Sequence, residues 1–546
     1  MEQVPVAVVG AGPVGMTAAL WLARHGVPSV VLEAAPRLSG EGSRSICVQK
    51  DVLDVFERLG CGQVMADRGV SWTLGRTYFR GKELFQIRFP EVGRDAFPPF
   101  VNLPQAEMER ILLERVRREP LVDLRWGHRV EGLEQDEAGV RLTAAAPGGT
   151  AELRAAYVAG CDGARSAVRR LLGVDLPGHS FDDRFLIADV QARLPFPNER
   201  RFFFDPPFNP GRQVLVHPQP DDVWRIDWQI PPEVDVEAER ASGGLDRRIR
   251  AVVGDADYQL VWLSTYRFHQ RVADRLAVGR VFLLGDAAHL MSPFGARGLN
   301  SGVADAENLA WKLWLVLAGL APAALLATYH DERRAAAVEN VAITDATMRF
   351  MVPPTRLRRL RRNLVLRGSV RLPGLRRRVD SGRLSAPCCY DRSPIVTPDP
   401  ELGPGQPVRP GAVAPDAPCR PVAGGPAVSR LRQLLGHGFV ALHLAPDGPG
   451  AAAFAARAAG VAPRAPTRLW VVLPAGAPTP DLPPGVGGLV DGDGLLAAAY
   501  GAGRGGLWLI RPDGHLAARH PGDGGALPNL VAKAAGERLP SPLPVG

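Results

Sequence analysis

Val6-Ala7-Val8-Val9-Gly10-Ala11-Gly12-Pro13-Val14-Gly15 is the stretch on which the reading of this chain turns. Four apolar residues predict a buried strand. Gly10 then permits a tight turn, Gly12 leaves the backbone open to a ligand, and Gly15 lets a helix pack closely on the strand. Thr17 to His25 follows with helical periodicity, and Gly26 stands where a helix C-cap is expected. Ser29 to Leu32 is a second apolar run that ends in Glu33. This is a βαβ unit. The free N–H groups at its helix N-terminus suit phosphate, and an acid at the end of the second strand suits ribose hydroxyls. Gly10, Gly12, Pro13, Gly15 and Glu33 are therefore read as a Rossmann-like dinucleotide site.

Context carries that reading. Gly501-Ala502-Gly503-Arg504-Gly505-Gly506 matches the same glycine spacing, yet helix-like Leu495 to Tyr500 precedes it and strand-like Leu507 to Ile510 follows. It reads as a loop.

Two further turns leave strand ends. Cys161-Asp162-Gly163-Ala164-Arg165-Ser166 follows the apolar run Ala156 to Ala159, with Arg169 three residues on. Asp162 and Gly163 suit a tight turn against a ligand; the plain alternative is a turn before a helix capped by Ser166. Gly285-Asp286-Ala287-Ala288-His289 follows Val281 to Leu284, and Pro293, Gly295, Gly298, Leu299 and Asn300 lead into a long helix from about Ser301 to Ala318. An Asp at a strand end can bind a ribityl hydroxyl. A helix N-terminus can stabilise negative charge on a reduced flavin.

Leu103 to Arg118 reads as a helix and Leu124 to Leu142 as strand pairs. Between Asp182 and Phe268 short alternating segments predict an inserted antiparallel sheet. Ser393 to Gly411 is rich in Pro and Gly and reads as a linker. Strand and helix signals resume at Phe439 to Leu444, Leu469 to Leu473, Leu507 to Ile510 and Pro528 to Ala535. The expected divisions are 1–181 and 269–350 for the nucleotide domain, 182–268 for the inserted sheet, 351–395 for an Arg-rich helical segment, and 396–546 for a C-terminal domain. The fold class is α/β combined with α+β.

Of 546 residues, 46% are apolar and 22% charged, as in globular chains. The net charge of +8 is local, because ten arginines and no acid lie between Arg356 and Arg378. Leu357, Leu360, Leu364 and Leu366 alternate with those arginines, which predicts a surface helix pair with Arg on the solvated face. Six cysteines without CxxC spacing give no metal signature. MEQVPVAVVG has no basic region ahead of an apolar run, and Leu313 to Ala327 is broken by Pro322. A cytoplasmic protein with no membrane insertion and no nucleic-acid partner is expected.

The three turns, in this order and spacing, resemble the class A FAD-dependent aromatic hydroxylases, the group typified by p-hydroxybenzoate hydroxylase and phenol hydroxylase. The 3-(3-hydroxyphenyl)propionate hydroxylase type is closer still. Ser43-Arg44-Ser45-Ile46-Cys47 resembles its flavin loop, Leu103-Pro104-Gln105 its flavin-contacting glutamine, and Tyr266 to Arg271 and Asp305 to Leu313 its later motifs. The resemblance is strong over about residues 1–350. Beyond 396, Trp508 to Gly514 resembles the hairpin of a thioredoxin-like domain. Without CxxC, packing or homodimer formation is its expected role.

The resemblance implies a FAD-dependent monooxygenase that uses NADPH or NADH as a transient reductant, with O2 and a small aromatic substrate. The oxygen would reach the ring through a flavin C4a-hydroperoxide. Arg44, Gln105, Asp162, Gly285, Asp286, Gly298, Leu299 and Asn300 are the implied FAD contacts beside the glycine turn. Pro293 would lie beside the reacting ring. On the inserted sheet, His217 and Tyr266 are candidates to help deprotonate a phenol, and Arg225, Asp227 and Trp228 to bind it. Phe202, Phe203, Phe204 and Phe208 would suit a bulky aromatic. Two other readings compete. One is a flavoprotein that sequesters a reactive intermediate without catalysis. The other is a flavin halogenase, of whose GWxWxIP mark only Trp228-Gln229-Ile230-Pro231 is present.

Overall fold

A computed structural model describes residues 1–40, 45–89, 96–292, 295–353, 355–370, 372, 374–375, 387–402, 406, 408–422, 425, 427–445, 447–501, 506–522, 524–537 and 539. Three large sheets organise them. The first is built on parallel strands, because helical crossovers join its members. Strand Glu2–Val9 lies between Ser29–Glu33 and Gly149–Gly160, and Val122–Trp126 and Val281–Leu283 extend the sheet on either side. Helix Pro13–Arg24 and the long helix Arg297–Leu317 cover it, and Met16, Ala19 and Leu20 share one core with Val303, Leu309 and Leu313. The pair Arg129–Asp136 and Gly139–Ala146 runs antiparallel along the far part of Gly149–Gly160.

The second sheet is almost wholly antiparallel. Its order is His289–Leu290, Tyr258–Val272, Gly178–Ala192, Val223–Ile230, Gln213–Pro218, Arg200–Phe204, Leu74–Phe79 and Lys82–Arg88. It is not built from one insertion alone. The hairpin Leu74–Phe79 and Lys82–Arg88 joins it through a parallel pairing with Arg200–Phe204. That hairpin carries no strong alternation in sequence. Side chains on these strands alternate between two environments. Val214, Val216, Trp224, Ile226 and Trp228 pack on Leu245, Ile249 and Val253 of helix Gly244–Val253. Their neighbours face the opposite way, toward the first sheet.

The third sheet runs Arg420–Pro421, Val486–Asp491, Thr467–Pro474, Phe439–Leu444, Gly506–Ile510 and Leu516–His520. Its middle strands pair in parallel and its last pairs are antiparallel. Helices Gly448–Ala459 and Leu527–Ala534 pack on one face, which is continuous with Trp311 and Leu315 of the long helix. The glycine string at 502–505 lies outside the described residues.

The Arg-rich segment agrees with expectation in its arginines, five of the six on the described helix being exposed, and departs from it in its leucines. One helix, Arg356–Ser369, is described. Its buried face carries Arg362, Leu366 and Ser369, while Leu357, Leu360 and Leu364 stand exposed. Arg362 is drawn inward because its guanidinium donates to the Met351 carbonyl (2.9 Å) and lies over the Phe204 ring. No described helix is long and apolar enough to cross a membrane. All six cysteines are free, and the described residues contain no metal-holding cluster.

Candidate active site

A cavity of about 1080 Å³ lies between the first two sheets. One end is formed by the three turns, and the opposite wall by the inward face of the second sheet.

At the first end, strand Glu2–Val9 delivers the chain to Gly10 at φ +104°, a conformation that favours glycine. A Cβ there would meet the Cys161 carbonyl at 2.6 Å, and one on Gly15 would meet the Gly10 carbonyl at 1.9 Å. These two glycines therefore hold the turn together and do not line the cavity. Gly12 does line it, with open space where a Cβ would stand. Gly12 is also the N-cap of the helix and supplies no side-chain cap, so the first N–H groups stay open to an anion. The Glu33 carboxylate accepts from the backbone N–H of Ala11 (2.7 Å) and Ala35 (2.8 Å). That pins it beside the turn, and its remaining lone pairs can still accept from ribose hydroxyls.

The second turn presents Cys161 and Gly163, again with open space at the absent Cβ. Asp162 corrects the expectation of direct contact. Its carboxylate turns back to the N–H groups of Ala167 (2.6 Å) and Val168 (3.1 Å) and to the Ser166 hydroxyl. Ser166 in turn caps the helix through the Arg169 N–H (2.9 Å). These three contacts fit the plain alternative, and Asp162 is not among the residues that line the cavity.

The third turn brings Gly285, Asp286, Gly298 and Leu299 to the cavity. Asn300 does not reach it. The amide of Asn300 accepts from the Gln49 N–H (3.1 Å) and donates to the Cys47 carbonyl (3.1 Å), tying two loops together behind the cavity wall. Gln105 does line the cavity, and its side chain accepts from the Ser45 N–H (3.3 Å) and donates to Glu109 (2.8 Å). Arg44 and Pro293 lie outside the described residues.

Two residues to which the sequence gives no role hold these turns, Arg169 by bridging the second to the third and Asp305 by tying the third to the long helix. The buried Arg169 guanidinium donates to the carbonyls of Ala287 (2.9 Å) and Ala164 (3.0 Å), bridging the second and third turns. Asp305 accepts from the Gly285 N–H at 2.9 Å. Both stood inside quoted motifs, but a bridge between turns far apart in sequence has no local signature.

On the opposite wall, His217, Arg225, Asp227, Trp262 and Tyr266 face the cavity. The Arg225 guanidinium forms a two-point pair with Asp189 (2.8 and 2.7 Å) and lies 5.3 Å from the Trp262 ring. Its other N–H donors remain to meet a ligand. His217 Nδ1 and Asp227 Oδ1 are deeply buried and find no partner among the described residues. Burial, reinforced by the charges of Arg200 and Arg225, holds His217 down to about 3, so its ring is neutral. Burial pushes the Asp227 carboxyl up to about 7; Arg225 works against this and Asp189 with it.

Trp228 does not belong to this wall. It is fully buried on the other face, because adjacent strand residues point to opposite sides. Phe202 and Phe204 line the cavity, whereas Phe203 and Phe208 pack on that other face. Trp228→Ala is expected to destabilise the fold by about 3–5 kcal/mol, read from the denaturant midpoint. Trp228→Phe should leave the KM for an aromatic substrate unchanged; a raised KM would return Trp228 to the site.

The open glycine cradles, the uncapped helix N-terminus and Glu33 at the second strand fit an adenine dinucleotide that lies along the turns. The cavity leaves room for a ring system reaching the second sheet. The chain matches the family described as FAD binding domain over residues 3–344. It is 33% identical over 399 residues to a 3-(3-hydroxyphenyl)propionate/3-hydroxycinnamic acid hydroxylase of Burkholderia cenocepacia strain HI2424, covering 72% of each chain. It is 33% identical over 354 residues to a para-nitrophenol 4-monooxygenase of Pseudomonas sp. strain WBC-3, covering 63% of this chain and 86% of the other. Among solved structures it is similar to the flavin-dependent monooxygenase PieE in complex with FAD and substrate. That match has 26% identity and a TM-score of 0.79, and covers 98% of this chain and 99% of the other. Aklavinone-11 hydroxylase with FAD and aklavinone is similar at 26% identity and a TM-score of 0.76, with the same coverage.

Proposed function

Since the chain belongs to the FAD binding domain family and is an FAD-dependent aromatic monooxygenase, we propose that it hydroxylates a phenol whose ring hydroxyl meets Asp227 and His217. The observation that carries this reading is the pair of deeply buried, unpartnered atoms, Asp227 Oδ1 and His217 Nδ1, on the wall facing the turns. Unpaired polar groups in such a place are costly unless a ligand completes them. The names of two relatives, which specify a hydroxyphenyl compound and a nitrophenol, support a phenolic substrate.

Bound FAD would supply the redox chemistry, with reducing equivalents from NAD(P)H and the inserted oxygen atom from O2. Gly12, Gly163, Gly285, Asp286, Gly298 and Leu299 would hold it, with Glu33 at the adenosine end and Gln105 at the flavin side chain. The protein's own task is to place the substrate ring, exclude water and move a proton. A phenolate is the more electron-rich ring, so a base beside the hydroxyl raises its reactivity. His217, held near 3, is too weak a base for that task. Asp227, near 7, is matched to neutral pH. We therefore assign the base to Asp227, and hydrogen bonding of the hydroxyl to His217. Arg225 and Tyr266 complete the wall.

The test is reconstitution with FAD followed by a screen of phenols. A phenol should stimulate NAD(P)H oxidation and yield a product gaining one oxygen. A phenol that binds the FAD-loaded protein but stimulates no NAD(P)H oxidation would favour the sequestering alternative, and chloride-dependent product the halogenase. Protein that takes up no FAD would overturn the whole reading.

A further inference from the structure

Among the described residues, a cluster of buried charges lies outside the cavity, where the C-terminal sheet meets the nucleotide domain. Asp305, fully buried on the long helix, accepts from the Gly285 N–H (2.9 Å), Arg333 Nε (2.6 Å) and is paired with His289 Nε2 (2.7 Å). Arg333 goes on to donate to the Tyr390 hydroxyl (2.6 Å). The Tyr390 ring is stacked on His515 at 4.2 Å and lies under the Arg511 guanidinium at 5.2 Å. Arg511 makes a two-point pair with Glu332 (2.6 and 2.9 Å), the residue beside Arg333 on helix Ala327–Met351. Lys312 donates to Glu332 (2.8 Å), and Asp513 takes Arg511 Nε (3.0 Å) and Trp311 Nε1 (3.1 Å).

Three acids and three bases, none with a side chain more than 4% exposed, thus form one neutral network. Such a network is poor value for stability alone, since apolar residues of like volume would serve as well or better. What it gives is a fixed register, because each charge tolerates only one arrangement of its partners. The register that it fixes ends on Gly285, at φ +58°, where a Cβ would already meet Val14 at 3.0 Å.

We propose that the C-terminal domain is a brace for the flavin site: Arg511 and His515, through Tyr390, Arg333 and Asp305, position the Gly285–Asp286 turn. These are positioning residues, none of which lines the main cavity. The reading gives the C-terminal sheet a task that needs no redox cysteines.

The test uses the full-length apoprotein and titrates FAD, following flavin fluorescence, with thermal unfolding measured separately without FAD. Asp305→Asn should raise the FAD Kd by at least roughly tenfold, and Arg511→Lys and Tyr390→Phe by several-fold. Bound flavin in these variants should also show a shifted visible circular dichroism. The control is Arg519→Lys. Arg519 is another buried arginine of the same domain, paired with Asp399 and Glu401 and off the network. It should lower the apoprotein Tm and leave the FAD Kd and spectrum untouched. If Asp305→Asn fails to fold, Tyr390→Phe carries the test, since it removes a single hydroxyl. An FAD Kd and spectrum unchanged in both Arg511→Lys and Tyr390→Phe, with only the Tm lowered, would overturn the proposal.

Discussion

Asp227→Asn should lower kcat/KM for a phenolic substrate by about two orders of magnitude or more, the usual contribution of a positioned base. In the parent protein kcat/KM should rise with pH through about 7, because only the deprotonated carboxylate can accept the phenol's proton. That limb should vanish in the variant. Stability should move the opposite way. The folded carboxyl titrates above its unfolded value, so between about 4 and 7 the folded state binds more protons than the unfolded one. Stability that is fully present below the unfolded pKa is thus lost as pH rises through 7. An amide in that place carries no charge to desolvate, so at pH 8 the variant should melt higher than the parent. Reduced turnover together with a raised Tm is hard to obtain from a misfolded wall. An unchanged limb in Asp227→Asn that disappears in His217→Gln would move the base to His217.

The second large effect concerns the glycine turn. Gly10→Ala should yield a colourless protein with FAD affinity lowered by roughly a hundredfold or more. The added methyl would meet backbone atoms of Cys161 and Asp162 at 2.6–3.0 Å in a left-handed conformation. Backbone strain of this kind costs about 1–3 kcal/mol before the clash is counted. Because the clash is internal, the apoprotein Tm should fall as well. Gly12→Ala provides the contrast. Nothing stands within 4 Å of its added Cβ, so the apoprotein should keep its Tm. The methyl would occupy only the space a phosphate needs, and FAD should still be lost. A yellow Gly10→Ala protein with parental FAD affinity would remove the turn from the nucleotide site.

The contrast shows which parts of the site are legible in sequence. Gly10, Gly12 and Gly15 stand in one short string whose flanking periodicities declare strand and helix, so the turn can be read locally. The sequence marks the candidates of the second sheet only as a neighbourhood, and the pleat divides them. Asp227 and Arg225 share a face, while Trp228 between Asp227 and the next inward position cannot. Strict alternation would have excluded Trp228 in advance. Asp162 and Asn300 were read from their motifs as ligands, but each carboxylate or amide is engaged by nearby backbone. Motif membership does not reveal which way a short polar side chain turns. The exposed leucines of Arg356–Ser369 failed for a different reason. Helical spacing defines a stripe, and only tertiary contacts such as Arg362 with Met351 decide which stripe is buried. The balance of His217 against Asp227 as base is out of reach of the sequence, because it depends first on burial in the folded wall and then on the charges of Arg200, Arg225 and Asp189 around the two groups.

The alternation of the second sheet has a consequence for how such a protein can diversify. On strands Gln213–Pro218 and Val223–Ile230, the residues that face the cavity and those that hold the sheet to its helix are interleaved one by one. Changes at 215, 217 and 227 should alter what is recognised and leave the buried layer of 214, 216, 226 and 228 in place, whereas 225 is held by its buried pair with Asp189. A library restricted to the first set should therefore be rich in folded variants with new substrate preferences, and the same number of changes in the second set should be rich in aggregates. New specificity, in this architecture, is reached through every other residue.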